Sequence, residues 1–125
     1  MEMKNCTIHA KVWIEDADGK VVFGEGRYRI LEAVGRLRSL QAAAAELKMS
    51  YRALWGRLKA SEDRLGRPLV ARAGRGSELT PYAQELVSRY RELQEQIHHE
   101  SDRVFAQLQG SEPEDGEIAE PATNQ

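Results

Sequence analysis

Residues 39–65, SLQAAAAELKMSYRALWGRLKASEDRL, decide the fold. Ser39 suits a helix N-cap, because its side-chain oxygen can accept one of the amides that a first turn leaves without a partner. A helix over Leu40–Lys48 follows, with Leu40, Ala43, Ala44 and Leu47 on its apolar face. Its four consecutive alanines favour helix and let a neighbouring helix come close. Lys48-Met49 makes a short break. Ser50 then caps a helix that runs to Leu65, with Gly66 as its stop and Pro68 just beyond. At about 100° per residue, Leu54, Leu58, Ser61 and Leu65 fall on one face and Arg52, Gly56, Lys59 and Asp63 on the other. Trp55 borders the outer face and Tyr51 the inner one.

Upstream, Tyr28, Leu31, Val34 and Leu37 recur every three residues with Ile30 beside them, which predicts a helix over 27–38. Before it, Ile8, Ala10, Val12 and Ile14 alternate with His9, Lys11, Trp13 and Glu15, the period of a half-buried strand over 8–15. Asp18-Gly19 signals a hairpin turn, with Lys20–Phe23 as the returning strand. Downstream, LVARAGRGSEL over 69–79 reads as two short strands around a glycine-rich tip, Ala73–Ser77. Thr80 caps a last helix, Pro81 suits its first position, and the helix extends to about Gln109. Residues 110–125 are rich in Pro, Gly and acid, the composition of a disordered tail. One domain over 1–109 and a tail over 110–125 are expected.

The charge is unevenly spread. The 125 residues carry a formal net charge of −2, yet residues 24–91 hold 14 basic and 7 acidic groups, a net of +7. Residues 92–125 hold 1 basic and 9 acidic groups. A basic middle suits a polyanion, or it is a solvated arginine-rich surface; charge alone does not separate the two. No apolar run is long enough to cross a bilayer, the first residues lack a secretory signal, and a lone Cys6 forms no internal disulfide. These features predict a cytoplasmic location, and Cys6 reads as a small packing residue. No glycine-rich phosphate loop and no Cys/His set with metal spacing occurs, and His98-His99 diverge by about 100° on a helix. No catalytic residue, metal or cofactor is expected, and an enzyme is not.

The order helix, short helix, tight turn, helix, two-stranded ribbon is that of a winged helix-turn-helix, mainly α with a small β component. In such an arrangement one helix enters the major groove of double-stranded DNA and the ribbon reaches the neighbouring backbone or minor groove. The stretch from Gly26 to Leu93 resembles the amino-terminal DNA-binding domain of ModE-type molybdate-responsive regulators. The residues that carry the likeness are Met49-Ser50-Tyr51-Arg52-Ala53-Leu54-Trp55 and Val22-Phe23-Gly24-Glu25-Gly26-Arg27. Leu65-Gly66-Arg67-Pro68-Leu69-Val70 and Leu79-Thr80-Pro81 add to it and are similar, more loosely, to LysR-type regulators. The likeness covers residue 8 to about 108. Family members with a full sensor continue into a molybdate-binding domain, for which this sequence has no stretch. An oxyanion effector is therefore expected only through another protein.

The resemblance implies DNA contact at Ser50, Tyr51, Arg52, Trp55 and Lys59, with Arg52 pairing with guanine and Lys59 meeting phosphate. Ser39 and Gln41 are candidates for phosphate contact at the start of the second helix, and Arg72 and Arg75 for wing contacts. Tyr51 and Trp55 have a second use open to them, as half-buried packing residues. Gly56, on the outer face, either clears the way for a groove wall or is a tolerated surface glycine.

Along the last helix Leu86, Tyr90, Leu93 and Ile97 are spaced as in a coiled-coil seam, and Val104 and Leu108 continue the apolar set. A second copy of the chain would cover them, giving a homodimer that reads half-sites about one helical turn, or a multiple, apart. The expected function is a dimeric, sequence-specific transcriptional regulator. Two alternatives stand beside it: a protein-interaction module with the same fold, and an oxyanion-binding protein.

Overall fold

The computed structural model describes residues 3–110. The elements are β1 (Ile14–Glu15), β2 (Val21–Phe23), α1 (Glu25–Leu37), α2 (Leu40–Glu46), α3 (Tyr51–Leu65), β3 (Val70–Ala73), β4 (Gly76–Leu79) and α4 (Pro81–Gln109). This is a mainly helical winged helix-turn-helix with a leading hairpin. Two compact units share the chain: one spans Lys11–Glu92, and the other takes residues 3–10 and 93–110. The acidic tail expected over 110–125 lies, beyond Gly110, outside the described residues.

Three of the four described helices start at a local side-chain bond, α1 with its Gly24 cap being the exception. Ser39 Oγ accepts from the Ala42 amide and Ser50 Oγ from the Ala53 amide, both at 3.0 Å. Thr80 Oγ1 accepts from the Ala83 amide at 3.1 Å and donates to the Pro68 carbonyl at 2.9 Å. Gly66 ends α3 in the left-handed region, where glycine has no Cβ to clash. The turns between helices pass through left-handed Arg38 and Lys48, so α2 stops at Glu46 rather than Lys48. At the other end α1 begins at Glu25, two residues before the periodicity shows.

Two apolar clusters hold the Lys11–Glu92 unit. Ile30, Ala33 and Val34 of α1 meet Ala43 and Ala44 of α2 and Leu54 of α3. The small alanines let α1 and α2 pack closely. The second cluster joins Val22 and Phe23 of β2, Leu31, Leu58, Leu69 and the α4 residues Ala83, Val87 and Tyr90. Tyr90 stands edge-on to Phe23 with ring centres 5.1 Å apart, and its hydroxyl donates to the Val12 carbonyl at 2.8 Å.

The wing is tied to the helices by backbone. In it β3 and β4 pair antiparallel, Val70 opposite Leu79 and Ala73 opposite Gly76. The Ser77 amide donates to the Arg38 carbonyl at 3.1 Å. A Cβ on Gly76 would lie 2.4 Å from that same oxygen, so only glycine allows the approach. At the far end of β3, Glu62 of α3 accepts from the Leu69 and Val70 amides at 2.7 and 3.3 Å.

The strand expected over 8–15 is reduced to Ile14–Glu15. With only Val21–Phe23 opposite, Ile8–Trp13 have no ladder partner. Val12 packs on the core, while Ile14 and Trp13 are exposed. Cys6 is exposed as well, which corrects its reading as a packing residue. Among the described residues no helix is long and apolar enough to cross a membrane.

Candidate nucleic-acid interface

The face that α3 turns outward is built by what it turns inward. Leu54, Leu58 and Ser61 are fully buried, so the helix is held from behind and cannot roll. Arg52, Gly56, Lys59 and Asp63 are exposed on the opposite side. Tyr51 and Trp55 are 46% and 44% exposed. They line one wall of a cleft of about 350 Å³ whose other wall is the wing, with Arg72 and Arg75. The structure thus brings four of the sequence candidates (Tyr51, Trp55, Arg72 and Arg75) to one cleft.

Ser39 and Ser50 have their hydroxyl oxygens engaged as helix caps, and Gln41 is exposed on the first turn of α2. Lys59 faces Asp63 one turn on, at 3.6 Å, an exposed pair worth little in water and readily exchanged for another anion. Several other cations of the basic segment are committed within the fold: Arg36 to Glu32 and Glu46, Arg38 to Glu78, Arg89 to Glu85. Arg52, Arg72 and Arg75 hold no ion pair among the described residues.

Gly56 sits mid-helix, and a Cβ built on it meets nothing within 4 Å. No internal packing explains a residue that costs about 1 kcal/mol relative to alanine there.

On α4 the structure separates the proposed seam residues. Tyr90 is buried in the chain's own core, and Leu86 packs against it. Tyr90 is therefore spent within the protomer, a correction to its place on the seam. Leu93, Val104 and Leu108 are exposed at 38%, 40% and 44%, and Ile97 is half-buried.

Two features escape the sequence reading. Glu62 anchors the wing to α3, although a carboxylate beside Trp55 on the helical wheel could have pointed to it. Arg27 and Arg64 are drawn to α3 and β2 over long sequence separations: Arg27 Nε donates to Ser61 Oγ at 3.2 Å and Arg64 Nη1 to the Val21 carbonyl at 2.6 Å. Among the described residues no group of three or more His, Cys, Asp or Glu side chains could hold a metal ion.

Residues 26–84 match the family model described as bacterial regulatory helix-turn-helix protein, lysR family, a family of regulators rather than enzymes. The Molybdenum transport protein ModE of Azotobacter vinelandii is 32% identical over 98 residues, which cover 74% of this chain and 36% of that protein. The Molybdenum-pterin-binding protein MopB of Rhodobacter capsulatus is 38% identical over 72 residues, 54% of this chain and 27% of that protein. The chain thus spans only 27% to 36% of the length of these two relatives. The CbnR_DBD–DNA complex supplies a structural neighbour at 27% identity and a TM-score of 0.57, covering 67% of this chain and 97% of that one. Fold, family match and relatives agree: residues 26–84 match the regulatory helix-turn-helix domain of the lysR family, and the chain is similar in amino-acid sequence to ModE proteins.

Proposed function

We propose that the chain is a sequence-specific DNA-binding transcriptional regulator that acts as a homodimer, with the amino-terminal half of α3 in the major groove. The observation that supports this most is the exposed, cationic and aromatic outer face of a helix whose apolar stripe is wholly consumed by its own core. In this reading Arg52 pairs with a base edge, Lys59 exchanges Asp63 for a phosphate, and Ser50 and Gln41 meet the backbone. Arg72 and Arg75 reach the strand beside the wing, and Tyr51 and Trp55 line its path. The exposed leucines and Val104 of α4 pair with those of a second copy.

Selection of bound sites from a random duplex pool tests this directly. Arg52→Ala is expected to relax sequence preference, at about 1–3 kcal/mol for the base it reads. Lys59→Ala is expected to weaken all duplexes alike and to reduce the salt slope by about one. Failure of the chain to bind any duplex, with or without residues 110–125, would favour a protein-interaction module instead. We read an oxyanion, the class that the molybdenum in the relatives' names suggests, as an effector that this domain does not itself bind. Titration of this chain with molybdate should accordingly leave its Tm unchanged.

A further inference from the structure

We infer that Arg27, Arg57 and Arg64 form a second phosphate grip, on the flank of α3 away from the wing, that holds the other wall of the major groove. The inference rests on the DNA-binding reading above and adds a site to it.

The helical wheel places the grip. Arg57 lies about 200° round α3 from Trp55, and Arg64 about 200° from Glu62. Trp55 and Glu62 line the wing cleft, so Arg57 and Arg64 occupy the opposite flank. A helix with its side chains is about 10–12 Å across, and the major groove is about 12 Å wide. A helix that fills the groove therefore meets a phosphate wall on each flank. The wing flank has Arg72 and Arg75 for its wall. The far flank has this triplet.

Two of the three guanidinium groups are held in place by the fold. Arg64 is fixed to the Val21 carbonyl, and Arg27 to Ser61, whose own hydroxyl donates to the Val22 carbonyl at 2.7 Å. Both anchors converge on β2, so the leading hairpin sets the spacing. Burial pulls the Arg27 guanidinium below its ordinary value, and the positive charges of Arg57 and then Arg64 pull it the same way. None of the three has an ion pair among the described residues. The nearby carboxylate is Asp16, which feels Arg64, but its Oδ1 accepts from the Asp18 and Lys20 amides, both at 2.9 Å. Three like charges placed together, offset only in part by Asp16 beside Arg64, repel one another. An anion bound between them removes that repulsion, and a phosphodiester backbone supplies it at regular spacing.

The test measures the affinity of the full chain for a selected duplex and for a random duplex between 50 and 200 mM salt, ranges over which about one counterion is released per phosphate contact. Arg57 has no hydrogen-bond or ion-pair partner to lose and its charge repels Arg27, so Arg57→Gln should not lower Tm. It should lower the salt slope by about 0.9 and weaken both duplexes by the same factor. Adding Arg64→Gln should remove about as much again. Arg89→Gln, a charge loss on α4, should leave the slope alone. An unchanged slope in Arg57→Gln, with Arg52→Ala still altering sequence preference, would overturn the grip while leaving the regulator reading intact. A wild-type chain that binds neither duplex would overturn both. If inorganic phosphate raised the wild-type Tm, an effect lost in Arg57→Gln with the slope unmoved, the triplet would serve a free oxyanion and the assignment to DNA would fall.

Discussion

Helices α3 and α4 are both amphipathic, yet they leave opposite kinds of surface uncovered. On α3 the apolar stripe is buried from Leu54 to Ser61, and what remains outside is polar, cationic and aromatic. On α4 the buried residues are Ala83, Val87 and Tyr90, all in its first three turns. Beyond them Leu93, Val104 and Leu108 stay exposed. Length makes the difference. The 15 residues of α3 find core along their whole inner side, whereas the 29 residues of α4 outrun theirs. A cationic face whose ion pair, Lys59–Asp63, is exposed suits a polyanion, and an apolar face suits another apolar face. The two helices thereby leave exposed faces of different chemistry.

The contrast can be broken most forcefully at Tyr90. Tyr90→Ala should cost about 3–5 kcal/mol of folding stability, read as a lower midpoint in urea. Because the ring belongs to the protomer's own core, most of that loss should persist at every protein concentration. A loss that vanished on dilution would put Tyr90 back on the seam. Next, Leu93→Glu with Leu108→Glu should weaken self-association by at least about a hundredfold, since each leucine withdraws roughly 1.5–3 kcal/mol of burial. Sedimentation at several concentrations would show it. Identical profiles for the wild type and this variant would mean that the apolar end of α4 has no partner in a second copy.

On α3 the effects are smaller and more selective. Ser61→Ala leaves the Val22 carbonyl without its donor and frees Arg27, at a cost of about 1–3 kcal/mol. Its thermal midpoint should fall, and a midpoint equal to wild type would show that β2 is held by other means. Gly56→Ala should do the reverse and stabilise the fold by about 1 kcal/mol, because the added methyl meets nothing. If the outer face of α3 lies against a groove, the same methyl should weaken duplex binding severalfold. Higher stability with unchanged affinity would make Gly56 an idle surface glycine.

What the sequence determined by itself was every feature whose cause lies within a few residues. Ser39, Ser50 and Thr80 cap helices because each hydroxyl reaches an amide three residues on, and Gly66 stops α3 through its own backbone freedom. Helical periodicity likewise separated Leu54, Leu58 and Ser61 from Arg52 and Lys59, since one helix fixes its own two faces. Only the tertiary structure decided what distant segments do to each other. Tyr90 follows the seam spacing perfectly well, but its hydroxyl meets Val12, 78 residues away, and its ring meets Phe23. The alternation over 8–15 is real, but a strand needs a partner, and β2 is three residues long. Glu62 under the wing and the meeting of Arg27 with Arg64 depend in the same way on how the elements pack. A pattern along the chain states which side of an element is apolar; packing alone settles which neighbour, if any, covers it.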